Sequence, residues 1–338
     1  MTISLNGSSP ETLYTNATMA GKNAIINGDF GIWQRGTTIS NPGNGGYAAD
    51  RFFNGQDGTG TVTCTQQTFT AGTAPVAGYE GTYFQRTSLT TLGTTTYFQP
   101  TQRIENVRTF AGQAITVSFW AKADSARTSL VVLVQNFGSG GSAATTQTAA
   151  VTYSTAWTRY SFNFTVGSMS GKTIGTGSSL EIGARTTAAV GSILDIWGVQ
   201  VEAGSVATAF QTATGTVQGE LAACQRYYWR HTSAGVYDTY TAIATASGTN
   251  QVVATIPIPV QMRVAPTSVD SGGTNYISLY AGGANYALTA VTIASSSNNA
   301  YLPALTLALG TSPLVVGNKY DVISGNSTAS YIGLSAEL

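Results

Sequence analysis

From Asn23 onward the chain is written in short runs of alternating apolar and polar residues, cut at regular intervals by clusters of Gly, Asn, Ser and Thr. A period of two puts successive side chains on opposite faces of a strand. Many such runs with turn residues between them build antiparallel sandwiches. Ala114–Lys122 is the clearest run: Ile115, Val117 and Phe119 point one way, Thr116, Ser118 and Trp120 the other. Trp157–Val166 alternates again, with Tyr160, Phe162 and Phe164 on one face. Leu130–Val134 is continuously apolar and predicts a strand buried on both faces. Leu180–Ala184 and Ile193–Val201 close this first set.

Composition supports strands over helices. Charged residues make up 9% of the 338, and 39 Gly, 17 Tyr and many Thr replace the Lys and Glu of helical proteins. At 42% hydrophobic the chain can build cores, which argues against disorder. Net charge is zero with no basic stripe, so nucleic acid is not an expected partner. No apolar run reaches about 18 residues, so no membrane insertion is expected. Met1–Lys22 lacks a basic stretch followed by an apolar one, so no signal peptide is expected. Cys64 and Cys224 read as two buried thiols rather than a disulfide framework.

The expected fold is all-β: two antiparallel β-sandwich, jelly-roll-like domains joined by a short helix. Residues 1–22 read as a polar attachment arm, 23–212 as the jelly roll, 213–230 as the helical linker and 231–338 as a C-terminal sandwich. The helix is predicted over roughly 215–230. Thr216 caps it, Glu220 sits in its first turn, Arg226 and Arg230 lie near its end, and Leu221, Cys224 and Tyr228 share one face. Strands are predicted at Tyr237–Ala246, Gln251–Val260, Asn275–Ala281, Tyr286–Ala294, Leu302–Leu309, Lys319–Ser324 and Ser327–Ser335. Pro257 and Pro259 place their strand at an edge or beside a bulge. Asn27-Gly28 reads as a turn pair tolerant of positive φ. Asp50 is expected either to pair with Arg51 or to cap a turn, and Phe210 to tuck back onto the sandwich.

An ordered set of motifs carries a family resemblance. It starts with Asn23-Ala-Ile-Ile-Asn-Gly-Asp-Phe-Gly-Ile-Trp-Gln-Arg-Gly36 and Tyr47-Ala-Ala-Asp-Arg-Phe-Phe53. Val117-Ser-Phe-Trp-Ala-Lys122 and Trp197-Gly-Val-Gln-Val-Glu-Ala-Gly-Ser-Val-Ala-Thr-Ala-Phe210 follow. It continues through Gly219-Glu-Leu-Ala-Ala-Cys-Gln-Arg-Tyr-Tyr228 and Ile258-Pro-Val-Gln-Met-Arg-Val-Ala-Pro-Thr267 to Leu334-Ser-Ala-Glu-Leu338. The set resembles tail-fibre and appendage proteins of tailed bacteriophages and prophages, and its first part looks like the jelly-roll domain of certain carbohydrate-binding modules. The resemblance implies a virion protein made in the host cytoplasm. It further implies attachment to other tail proteins through the arm, a homotrimer, and a host-surface glycan as ligand. Such jelly rolls often hold a structural calcium near their first and last strands, which on this chain implicates Asp29 and Asp195, with Gly31 standing where some relatives carry Glu.

No catalytic residue is expected. The single histidine, His231, reads as a surface or packing residue, no Gly-x-Ser-x-Gly elbow is present, and the Gly-rich stretch Gly138–Gly141 lacks the lysine of a phosphate loop. Sugar binding uses aromatic platforms flanked by polar groups. Candidates are Trp33, Tyr83, Tyr97, Trp120 and Trp157, with Trp120 foremost because it points away from the Ile115 row. In the second domain Tyr276, Tyr280, Tyr286 and Tyr301 lie among Ser, Gly and Asn, as in binding loops. Three readings stay open: a receptor-binding fibre protein, a purely architectural virion protein, and a glycan-cleaving spike with two carboxylates facing one groove. No cofactor is expected beyond the calcium.

Overall fold

The computed structural model describes residues 21–76, 79–272, 276–295 and 298–338. The expected attachment arm therefore lies, up to residue 20, outside the described residues. The chain divides into two compact units, Met1–Leu221 with Leu338, and Ala222–Glu337. Every strand pairing in both is antiparallel, and one α-helix, Val217–Gln225, is described.

The first unit is a sandwich of two six-stranded sheets. One runs Thr38–Ser40, Thr61–Thr68, Tyr83–Thr91, Ile193–Ala203, Ala114–Ala123, Thr158–Thr165. The other runs Thr186–Thr187, Tyr97–Glu105, Ser179–Ala184, Arg127–Asn136, Thr145–Tyr153, with Phe52–Gln56 also on Tyr97–Glu105. Alternation decides what faces inward: Ile115, Val117 and Phe119 join Val131, Leu133, Leu180 and Ile182 in the main core. The Leu130–Val134 strand is less enclosed than its apolar run suggested, since Leu130 and Val134 stay half-exposed on its other side. Strand Ile193–Ala203 carries a bulge at Gly198, where φ is +66° and the register shifts. One extra residue reverses the parity. Leu194 and Ile196 before the bulge, and Val199 and Val201 after it, all reach the core, while Trp197 points outward onto Trp120.

The second unit pairs a three-stranded sheet with a seven-stranded one. The first is Tyr228–Thr232, Tyr331–Ser335, Ser268–Ser271. The second runs Ala284–Ala287, Ile277–Ala281, Lys319–Ser324, Thr239–Ala246, Gln251–Thr255, Ala304–Ala308, Ala290–Ile293. Their core gathers Val252, Ala254, Ile277, Leu279, Leu305, Leu307, Val322, Ile332 and Leu334.

Several boundaries differ from expectation. The helix stops at Gln225, and Tyr228–Thr232 is a strand. Leu221 is 37% exposed, whereas Glu220 and Cys224 are buried. The strand ending at Thr255 is central rather than at an edge, because Pro257 and Pro259 stand beyond its end. Tyr286–Ala294 is two strands, Ala284–Ala287 and Ala290–Ile293. Asp50 caps a turn, accepting from the Gln34 N–H at 3.0 Å, with Arg35 at 3.9 Å.

Asn27 has φ +59°, as a turn residue should, but Gly28 does not need positive φ. Gly28 is glycine for space: a Cβ there would lie 2.2 Å from the Val199 carbonyl oxygen, whose own N–H donates to the Gly28 carbonyl at 2.9 Å. Gly28→Ala must push these two backbones apart. The expected loss is about 1–3 kcal/mol, the usual cost of overpacking, read as a lower denaturant midpoint with unchanged slope.

Candidate functional site

The outward face of the seven-stranded sheet carries a hollow of about 440 Å³, lined by Tyr237, Thr239, Tyr280, Asn285, Asp321 and Ile323. Its construction follows from strand parity. Leu279 and Val322 face the core, so their neighbours Tyr280 and Asp321 face out. Tyr280 is the direct cross-strand partner of both Asn285 and Asp321. One step along, Ile323 pairs with Ser278 on one side and Thr239 on the other, giving an apolar floor. Tyr237 closes the end at φ +62°, an uncommon conformation for an aromatic residue. Strained backbone of this kind gathers at ligand sites.

The polar groups here are unspent. Among the described residues, none makes a hydrogen bond or ion pair with the side chains of Tyr237, Thr239, Tyr280, Asn285 or Asp321. Elsewhere on this unit comparable groups are used: Tyr228 and Tyr331 both donate to Asp270, at 2.8 and 3.1 Å, and Tyr240 donates to Ser330 at 2.6 Å.

The structure separates the four expected tyrosines. Tyr280 lines the hollow. Tyr286 sits opposite Leu279, therefore on the core side, edge-on to Tyr320 at 6.0 Å. Tyr276 is 39% exposed but outside the lining, and its carbonyl accepts from Gly325 and Ser330. Tyr301 is 70% exposed and also stands apart from the hollow. Nothing local in the sequence singles out Tyr237 or Asn285, although the alternation in Lys319–Ser324 marks Asp321 as outward.

Trp120 is corrected. It does point away from the main core, but that outer face is itself covered by a second apolar cluster of Phe69, Phe84, Trp197 and Phe210. Trp120 is 8% exposed, with Arg159 over its ring at 4.6 Å, so no sugar ring can stack there. Phe210 tucks back as expected, 4.9 Å from Trp197. Trp33 is buried and donates to the Phe30 carbonyl at 2.9 Å, Tyr97 carries Arg185 at 3.6 Å, and Trp157 packs on Phe69 and Phe84. His231 is a strand residue between the rings of Trp229 and Tyr240.

The first unit has its own cleft of about 460 Å³, lined by Asp29, Gly31, Tyr79, Glu80, Gly81, Thr82, Tyr83 and Val217, with a smaller recess beside Glu220. Asp29 and Glu220 thus face one groove, a pairing not visible in the sequence. Glu220 is a brace: it accepts from the Asn27 N–H at 2.7 Å, the Thr214 N–H at 2.7 Å and the Thr214 hydroxyl at 2.9 Å. Thr216 caps the helix as expected, accepting from Gly219 at 3.0 Å. Burial, and then the Glu220 charge, raise the Asp29 carboxyl above its ordinary 3.8. A carboxyl raised in the folded state favours folding fully below its unfolded value and loses that contribution as pH rises through the folded value. Asp29→Asn is therefore expected to raise the melting temperature at pH 7, with the gain shrinking as pH falls toward 3.8.

Asp195 does not stand ready for calcium. Both its oxygens are held by Arg86, at 2.7 and 2.8 Å, with Lys122 at 3.6 Å. Among the described residues no group of three or more His, Cys, Asp or Glu is placed to hold a metal ion, and no helix is long and apolar enough to cross a membrane.

No family model and no curated protein matches this chain. Solved structures similar to it include the enzymatically active domain of tailspike protein 4 from bacteriophage CBA120, at 18% identity and TM-score 0.36, covering 54% of this chain and 22% of that one. They also include the carbohydrate-binding module TmCBM61 in complex with β-1,4-galactotriose, at 13% identity, TM-score 0.31, and 54% and 99% coverage. A third is the CBM22-1 xylan-binding domain of Xyn10C from Paenibacillus barcinonensis, at 16% identity, TM-score 0.31, and 56% and 100% coverage. Likenesses at these scores carry no weight for ligand or role.

Proposed function

We propose that this chain is a glycan-binding attachment protein of a phage tail appendage, and that it binds sugar on the outward face of the seven-stranded sheet. The observation that carries the binding reading is the hollow where five unpartnered polar side chains surround an apolar floor. A pyranose offers an apolar face to a tyrosine ring and hydroxyls to the polar groups around it, which is the composition of small-ligand sites in general. The tail-appendage role rests on the motif series running from Asn23 to Leu338. A homotrimer would multiply weak single-site affinity by holding several sites at once.

The burial of Trp120 and the inward turn of the half-buried Tyr286 favour the architectural reading on those two positions, but Tyr237 and Tyr280, 48% and 39% exposed around one hollow, favour ligand binding. The test is binding of the full chain to host cells and to a glycan array. Saturable binding to cells, lost when their surface glycans are stripped, is the expected result. Absence of binding at concentrations where avidity would show transfers the case to the architectural reading.

A further inference from the structure

We infer that the hollow selects a single uncharged or amine-bearing sugar residue and turns away acidic sugars. This rests on the reading of the face as a sugar site and adds the ligand's charge class. The lining holds one ionisable carboxylate, Asp321, and no Lys, Arg or His. Asp321 makes no ion pair among the described residues, so its charge meets the ligand uncompensated.

The surroundings do not reverse this. Asp238, next to Tyr237, is a second carboxylate, and it is tied to the Ala234 and Gly235 N–H groups at 2.6 and 2.8 Å. Lys319 shares the outward side of the Asp321 strand, two residues and so about 7 Å along it, and it is not part of the lining. A uronate, sialate or phosphate placed over Tyr280 would meet an unneutralised carboxylate with no cation in the lining to receive it. A hydroxyl pair or an ammonium would instead donate to Asp321.

The platform seats one ring of the ligand. Asn285, Tyr280 and Asp321 form one row across three strands. Directly opposed residues have Cβ atoms about 5 Å apart, so the row spans about 10 Å with the ring at its centre. A sugar stacked on Tyr280 is thereby flanked by an amide, which donates and accepts, and by a carboxylate, which only accepts.

The experiment uses the full chain on an array carrying neutral hexoses, N-acetylhexosamines, free hexosamines, uronic acids, sialic acid and phosphorylated sugars. Wild type, Asp321→Asn and Tyr280→Ala are compared. Wild type is expected to prefer uncharged and amine-bearing sugars by about tenfold or more, the effect of a like charge at contact distance partly screened by water. Asp321→Asn keeps hydrogen-bonding capacity without the charge, and it should narrow that preference and favour free amines less. An acidic sugar among the best ligands, or an unchanged charge preference in Asp321→Asn while Tyr280→Ala removes binding, overturns the charge selection and leaves the sugar site standing. Binding that survives Tyr280→Ala overturns the site itself and this inference with it.

Discussion

Truncating Trp197 to alanine is expected to cost the first unit about 3–5 kcal/mol, the range for removing a large buried aromatic side chain. Trp197 is fully buried at the centre of the outer cluster, with Phe210 at 4.9 Å, Trp120 and Tyr79 at 5.4 Å and Phe69 at 6.1 Å. It also packs beneath Gly81, where a Cβ would come within 2.9 Å of the indole. The cavity left by alanine cannot close easily, because its walls are other rings held on separate elements. Denaturant unfolding followed by tryptophan fluorescence should show the first unit's transition moved to lower denaturant. A loss under 1 kcal/mol would mean that this outer cluster is loosely packed, contrary to its burial. Trp197→Phe should cost less, since the indole N–H has no hydrogen-bond partner among the described residues and phenylalanine removes that orphan donor.

The second large effect is on binding. Tyr280→Ala removes the ring at the middle of the Asn285–Tyr280–Asp321 row and leaves the strand pairing to backbone groups. A central aromatic contact is commonly worth about 2 kcal/mol or more when truncated, which is roughly 30-fold in affinity. Stability should change little, because Tyr280 faces outward and touches no core residue of the cluster around Leu279. A selective loss of binding with an unchanged melting temperature separates a ligand platform from a packing residue.

The architecture was legible from alternation. Ile115, Val117 and Phe119 face the core as their spacing requires, and Lys319–Ser324 forms the strand that its pattern predicts. Alternation reports which residues lie on opposite faces, and it does not report what covers the second face. Trp120 was misplaced for that reason: its face is covered by Phe69, Phe84 and Phe210, brought from distant stretches of the chain. The helix was overextended because Leu221, Cys224 and Tyr228 fit a three-to-four spacing by chance, while Tyr228–Thr232 was claimed by a sheet edge contributed from Tyr331–Ser335.

The candidate face was legible in part. Tyr280 stood out by composition, yet composition could not distinguish it from Tyr286, which a strand of the opposite parity turns inward. Asp321 gains meaning only from registry with Tyr280, forty-one residues away in sequence, and such registry is a property of the folded sheet, whereas Asn285 is set opposite Tyr280 by the short hairpin turn between their strands. The Asp29–Glu220 juxtaposition is likewise long-range, made by a helix start meeting the Asn27 turn within the first unit.

Whether the Tyr280 face holds sugar is decided by isothermal titration calorimetry of the full chain with a sugar chosen from the array, comparing wild type, Tyr280→Ala and Tyr301→Ala. Tyr301 is an exposed tyrosine away from the hollow and controls for general surface effects. Saturable heat is expected for wild type and Tyr301→Ala, and at least a tenfold weaker isotherm for Tyr280→Ala. Equal affinity in all three proteins would contradict that expectation, and the sugar would then have to be sought on another face of the molecule.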